Sequence, residues 1–139
     1  MYTDKQLEFS SEQAVTATAA STNNIDLGAA RDIGVSEGLH VFVNVDEAAV
    51  SAGASTLVVA LEVDSDPAFG SAKVVATTAA IPKATLVAGH SFYLPVPVGA
   101  DERYMRLNYT VGTANLTAGK FTASIVKDIQ SSKAYPDAL

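Results

Sequence analysis

Residues Arg103-Tyr-Met-Arg-Leu-Asn-Tyr-Thr-Val111 read as one β-strand with a buried face. Met105, Leu107, Tyr109 and Val111 fall on every second position and point one way, while Arg106, Asn108 and Thr110 point the other. Successive Cβ atoms alternate across a sheet, so a period of two marks a strand lying on a core. A helix would need apolar spacings of three and four, and Arg106 would interrupt that stripe. Arg103 shares the apolar parity but stands at the strand mouth, where its stem can lie on the core while its charge reaches water.

Other stretches supply the core this strand must face. In Leu39–Asp46, Leu39, Val41, Val43 and Val45 oppose His40, Phe42 and Asn44. In Thr56–Asp64, Leu57, Val59, Leu61 and Val63 oppose Val58, Ala60 and Glu62. The short connection between these two strands is what an antiparallel pair requires. Lys73 to Ile81 reads as a further strand, which Pro82 either ends or places at an edge. Phe92, Leu94, Val96 and Val98 form the next apolar row, against Tyr93, Pro95 and Pro97. Two prolines two apart remove ladder donors from one side, which predicts an edge strand. Phe121, Ala123 and Ile125 alternate with Thr122 and Ser124 in a last strand expected to run to about Ile129.

The N-terminal third is less regular. Leu7 and Phe9 share a face across Glu8, so residues 1–11 read as an edge strand or as an arm reaching to a neighbour. Gln13 to Ala20 is rich in β-branched and small residues and is followed by the turn chemistry of Ser21-Thr-Asn-Asn24. Ile25 and Leu27 follow, and Gly28 to Gly38 reads as a loop. Residues 12–130 form the expected domain, and residues 131–139 lack any period and read as a tail. About eight strands with no convincing helix predict an all-β fold, a two-sheet antiparallel sandwich or a barrel.

Composition narrows the function. At 139 residues the chain is one domain by size, long enough to bury a core without staples. It has no cysteine, so neither a disulfide framework nor a thiolate metal site can form. The N-terminus is too polar for a signal peptide, and no apolar run approaches the roughly 20 residues a membrane helix needs. The expectation is a soluble protein made in the cytoplasm, with no membrane partner. Net charge is −6 and the sequence pI about 4.7, with nine scattered Lys and Arg. That lacks the basic footprint of a nucleic-acid binder. Hydrophobic content of 48% against 17% charged residues suits a surface partly covered by a partner, or small Ala and Thr residues that inflate the count.

No catalytic constellation is legible. His40 and His90 lack neighbouring carboxylates at ligand spacing, and a zinc site needs three or four ligands. None of Ser51, Ser55, Ser71 and Ser91 lies in a Gly-x-Ser-x-Gly elbow. Asp64-x-Asp66 reads as a turn capped by its own carboxylates rather than a calcium site, which needs more oxygens. Glu62 and Asp128 are available as paired carboxylates only in the sense that any strand protein offers such residues. No catalytic residue, metal or cofactor is expected. With no Trp, Tyr93 and Tyr104 are the tyrosines set opposite the apolar rows, free to be exposed or to pack in an interface.

Four segments carry a resemblance. Ala14-Val-Thr-Ala-Thr-Ala-Ala-Ser-Thr-Asn-Asn-Ile-Asp-Leu-Gly-Ala-Ala-Arg-Asp-Ile-Gly34 is similar to the N-terminal signature of the Bbp16-type capsid cement proteins of tailed phages. So are Ala80-Ile-Pro-Lys-Ala-Thr-Leu-Val-Ala-Gly89, the stretch 103–111, and Phe121-Thr-Ala-Ser-Ile-Val-Lys-Asp-Ile-Gln130. They occur in the family's order and span most of residues 7–130. The resemblance implies a jelly roll and a decoration protein on the outside of the virion. It would bind as homotrimers and clamp neighbouring major capsid protein subunits. Leu7, Phe9, Tyr93, Tyr104, Tyr135 and Leu139 are the candidate partner contacts, with both termini as possible arms. A sugar-binding or adhesion sandwich on the virion surface is the rival reading.

Overall fold

The computed structural model describes residues 2–35 and 37–129. Their strands are β1 (Glu8–Ala14), β2 (Ala19–Ala20), β3 (Ile25–Asp26), β4 (His40–Val50), β5 (Thr56–Asp64), β6 (Lys73–Thr77), β7 (Ile81–Pro82), β8 (Ser91–Pro95), β9 (Tyr104–Gly112) and β10 (Ala118–Val126). One sheet runs β1-β10-β4-β8; the other runs β2-β9-β5-β6, with β3 also on β9 and β7 also on β5. All pairings are antiparallel. Counting β2 with β3 and β6 with β7 leaves eight strand positions. First and last strands are adjacent, and the first, third, sixth and eighth positions share a sheet. That order is a jelly roll.

The stretch Arg103–Val111 is at its centre. β9 pairs with β5 without a slip from Thr56↔Gly112 to Asp64↔Tyr104. Met105, Leu107 and Tyr109 are wholly buried with Leu57, Leu61 and Val63 on one side of the core. Val41, Val43, Val45, Phe121 and Ala123 close it from the other sheet. The Tyr109 and Phe121 rings stack across the sandwich, with centroids 5.9 Å apart. A hydroxyl in that core needs a partner, and Tyr109 finds it in Ser10 Oγ of β1 at 2.9 Å. Burial pushes the Tyr109 hydroxyl up to about 12.

β8 is an edge strand for the reason its prolines give. Val96 donates to Leu39 O at 2.9 Å, and the register pairs Leu94 with Val41 and Phe92 with Val43. Ladder donors alternate along a strand, so those even-numbered residues face β4. The outward edge belongs to Ser91, Tyr93, Pro95 and Pro97, and the two prolines leave its second half without N–H groups.

Several points differ from the sequence reading. β4 and β5 are not the expected antiparallel pair: the short connection between them carries the chain from one sheet to the other. Gln13 to Ala20 is not one strand: β1 begins at Glu8 and ends at Ala14, and the chain then crosses between sheets. Val15 is buried at that corner and donates to Gly119 O. Lys73 to Ile81 breaks after Thr77. Thr78 donates its N–H to Val59 O but accepts Val59 N–H on its hydroxyl, not its carbonyl, so the ladder ends there. The apolar row through Val98 stops early: Val96 is buried, but Val98 is 71% exposed because the chain turns at Gly99 (φ 102°). The last strand ends at Val126, before the expected Ile129.

Candidate interaction surfaces

The six candidate contact residues are dispersed. Phe9 points into the core and is wholly buried, so it offers nothing to a partner; the arm reading of residues 1–11 is corrected for it, because Glu8–Ala14 is ladder-paired to β10. Leu7 ends a short 3-10 turn, Lys5–Leu7, and packs half-buried against the same core. That turn is started by Asp4, whose carboxylate accepts Gln6 N–H at 2.9 Å. Tyr135 and Leu139 lie outside the described residues.

Tyr93 and Tyr104 occupy opposite outer faces of the sandwich. Tyr93 on β8 is 58% exposed and stands across from Phe42 of β4. His40 meets its ring edge-on at 5.5 Å. Tyr104 on β9 is half-buried under the Arg103 guanidinium, 5.1 Å from its ring centroid. Arg103 in turn grips Asp26 through two hydrogen bonds of 2.8 and 3.0 Å. These two tyrosines therefore belong to two separate surfaces.

The remaining sequence candidates have structural partners. Glu62 accepts from Arg106 Nε at 2.7 Å, across the β5–β9 ladder, and the Arg106 guanidinium lies 4.4 Å over the Phe69 ring. Phe69 reaches this place through a positive φ of 54° in the β5–β6 loop. Asp128 follows β10 in the other sheet, so the structure does not bring it to Glu62. Ser51 and Ser55 donate to the carbonyls of Asn115 and Ala114 at 2.9 and 2.6 Å, tying the loops of one end together. His40 and His90 lie on β4 and just before β8, each against an aromatic ring.

Asp64 caps the turn that its sequence announced. Its carboxylate accepts N–H from Asp66 at 3.0 Å and Ser71 at 2.8 Å, while Asp66 accepts from Ala68 at 2.9 Å. The Asp66 and Ser71 amides hold the Asp64 carboxyl below the usual carboxylate range. The sign follows: stability from a depressed carboxylate is complete above its unfolded pKa and fades as pH falls through the lower folded value. Asp64→Asn should therefore lower stability at neutral pH and flatten its loss below about pH 4. Thermal unfolding measured at pH 7 and pH 3 checks this, since an unchanged difference between the two would remove the cap.

One seam went unread in the sequence. The loop Gly28 to Gly38 is legible in the sequence only as polar and mixed. In the structure Asp32 stitches it to the turn between β8 and β9, its carboxylate accepting Gly34 N–H at 3.0 Å and Gly99 N–H at 2.7 Å. Gly34 lies flat on the Pro97 peptide, where an added Cβ would stand 2.2 Å from the Pro97 carbonyl oxygen. Asp-x-Gly is the local signal for such a turn. Its partner at Gly99, more than sixty residues away, has no signal in sequence.

Comparison with known proteins gives one family match. The Bbp16 family model matches residues 9–125, from β1 into the last strand. No curated protein matches the chain.

Proposed function

Because the chain belongs to the Bbp16 family, which points to a structural protein of a phage virion, we propose that it is a capsid cement protein. It binds the outer surface of the assembled capsid as homotrimers and bridges neighbouring major capsid protein subunits. The observation that carries this reading is the extent of the family match, which takes in nearly every strand of the jelly roll. The acidic balance supports an outward position, since a net charge of −6 would be repelled by packaged DNA. The role is mechanical: a trimer holding several subunits at once strengthens each weak contact through the effective concentration set by the others. Its internal contacts would be heterologous and close as a ring.

The test is addition of the purified protein to shells assembled without it, followed by sedimentation. Saturable binding at a fixed ratio to the capsid protein is the expected result, and no binding would contradict it. The solution mass belongs to the same experiment: three copies give 3 × 14.4 = 43.2 kDa. The adhesion reading rests on Tyr93 alone, exposed on an open sheet face opposite Phe42 and two residues from Ser91. A glycan screen that loses its signal on Tyr93→Ala would favour it.

A further inference from the structure

We propose that one end of the sandwich is an acid-released latch: ionised carboxylates hold its loops closed, and acid frees those loops while the strands and the opposite end stay folded. This is a property of the chain alone and goes beyond the cement reading. Asp26, Tyr104 and Asp64 stand in one row across β3, β9 and β5. Asp26 accepts both Arg103 bonds, and Gly28 N–H at 2.8 Å. Asp64 holds the β5–β6 loop through the Asp66 and Ser71 amides. Asp32 joins two further loops of this end through Gly34 and Gly99, and Lys73, opposite Val63, reaches the Gly99 carbonyl at 3.3 Å. Hydrogen bonds to an ionised carboxylate are about twice as strong as neutral ones, so protonation weakens all of these ties together.

The opposite end is tied by groups that acid does not change. Ser51 and Ser55 donate to the Asn115 and Ala114 carbonyls, Lys83 to the Ser51 carbonyl, and Leu116 N–H to Thr16 O at 2.9 Å. Its ion pair, Lys120 with Glu47 at 3.6 Å, joins two strands and no loops. The charges around the latch add to its release. Arg103 faces Asp26, with the Tyr104 ring against it, and the Arg106–Glu62 pair lies two residues further along the ladder from Asp64. Asp66, in the loop that Asp64 holds, accepts from Ala68. Lys73 faces Asp101 at 3.8 Å beside Gly99, Lys127 faces Glu37 at 2.8 Å, and Arg31 and Glu102 adjoin Asp32 and Arg103 in sequence. Once the acids are neutral, the cations are left to repel one another. Arg103 and the Gly28 amide hold the Asp26 carboxyl below the usual range, as the Asp66 and Ser71 amides hold Asp64. Stability from both is complete above the unfolded carboxylate value and is lost as pH falls through the lower folded one.

The experiment is native-state hydrogen exchange on the full chain, stepped from pH 7 to pH 3 and compared as protection factors, since free amides exchange at different rates across that range. Protection at Gly28, Gly34, Ser71 and Gly99 should fall by about tenfold or more, the scale of a hydrogen bond to a charged group. Lys83, whose N–H donates to Ser55 O at 3.0 Å, Leu116 and the amides of β5 and β9 should keep theirs. Asp32→Asn should show the low Gly99 protection already at pH 7, with little further loss in acid, while Ser71 responds as in the original. If all these amides lose protection together, the chain opens as one body and the latch is wrong. It is equally wrong if Gly99 and Ser71 stay protected at pH 3, or if Asp32→Asn keeps full protection at Gly99. Shell binding does not enter the measurement, so failure here leaves the cement reading as it was.

Discussion

Phe121→Ala is expected to cost about 3–5 kcal/mol, the range for removing a buried aromatic ring. Phe121 is wholly buried on β10, between β1 and β4 in its sheet, and its ring stacks on Tyr109 of the facing sheet. The cavity has stiff walls, because the β-branched Val43 and Val45 of the same core have little freedom to fill it. A domain holds only about 5–15 kcal/mol in all, so this one change removes a large share of the margin. The melting temperature should fall by about 10–20 °C. Val98→Ala serves as the comparison, since an exposed valine should stay within about 0.5 kcal/mol of the original. A loss below about 1 kcal/mol for Phe121→Ala would mean that the two sheets do not close on this ring.

Gly34→Ala should have the next largest effect, and for a different reason. The new Cβ would stand 2.2 Å from Pro97 O, 2.5 Å from Pro97 C and 2.9 Å from Val98 N, all backbone atoms that cannot rotate away. The seam must part, taking with it the 2.7 Å bond from Gly99 N–H to Asp32. Overpacking of this kind costs about 1–3 kcal/mol. Hydrogen exchange at Gly99 is the sharper readout: its amide should lose protection in the variant while amides of β5 and β9 keep theirs. Gly38→Ala, where the nearest atom to the new Cβ is 3.9 Å away, should be tolerated. Unchanged protection at Gly99 would show that the two loops are not joined there.

The contrast between these two sites reflects what a sequence can carry. Strands with one clean apolar row were legible because a period of two reports burial directly. Leu57, Val59, Leu61 and Val63 on β5, and Met105, Leu107 and Tyr109 on β9, sit where their parity put them. The edge position of β8 was legible too, since a missing N–H is a property of the residue itself. Jelly-roll connectivity came through family resemblance, because strand order depends on pairings between distant segments that local pattern does not encode. Strand ends were read less well. Thr78 ends β6 by substituting its hydroxyl for a carbonyl, and nothing in its neighbours announces that choice. The Ala-rich corner after Ala14 has too little side chain to state a face.

The candidate contacts show the same limit from the other side. Phe9 and Tyr93 were both candidate contacts, yet one fills the core and the other is exposed. What separates them is which sheet face each strand presents, and that is set by partners across the ladder. The Asp32–Gly99 stitch is more remote still, an unremarkable Asp in a polar loop until the turn after Pro97 arrives beside it.

The most direct test of the cement account is the temperature at which filled shells release their DNA, measured on shells lacking this protein before and after it is added back. If the protein clamps neighbouring capsid subunits from outside, release should shift to higher temperature as binding saturates. Shells that bind the protein in full yet open at the same temperature would contradict the account.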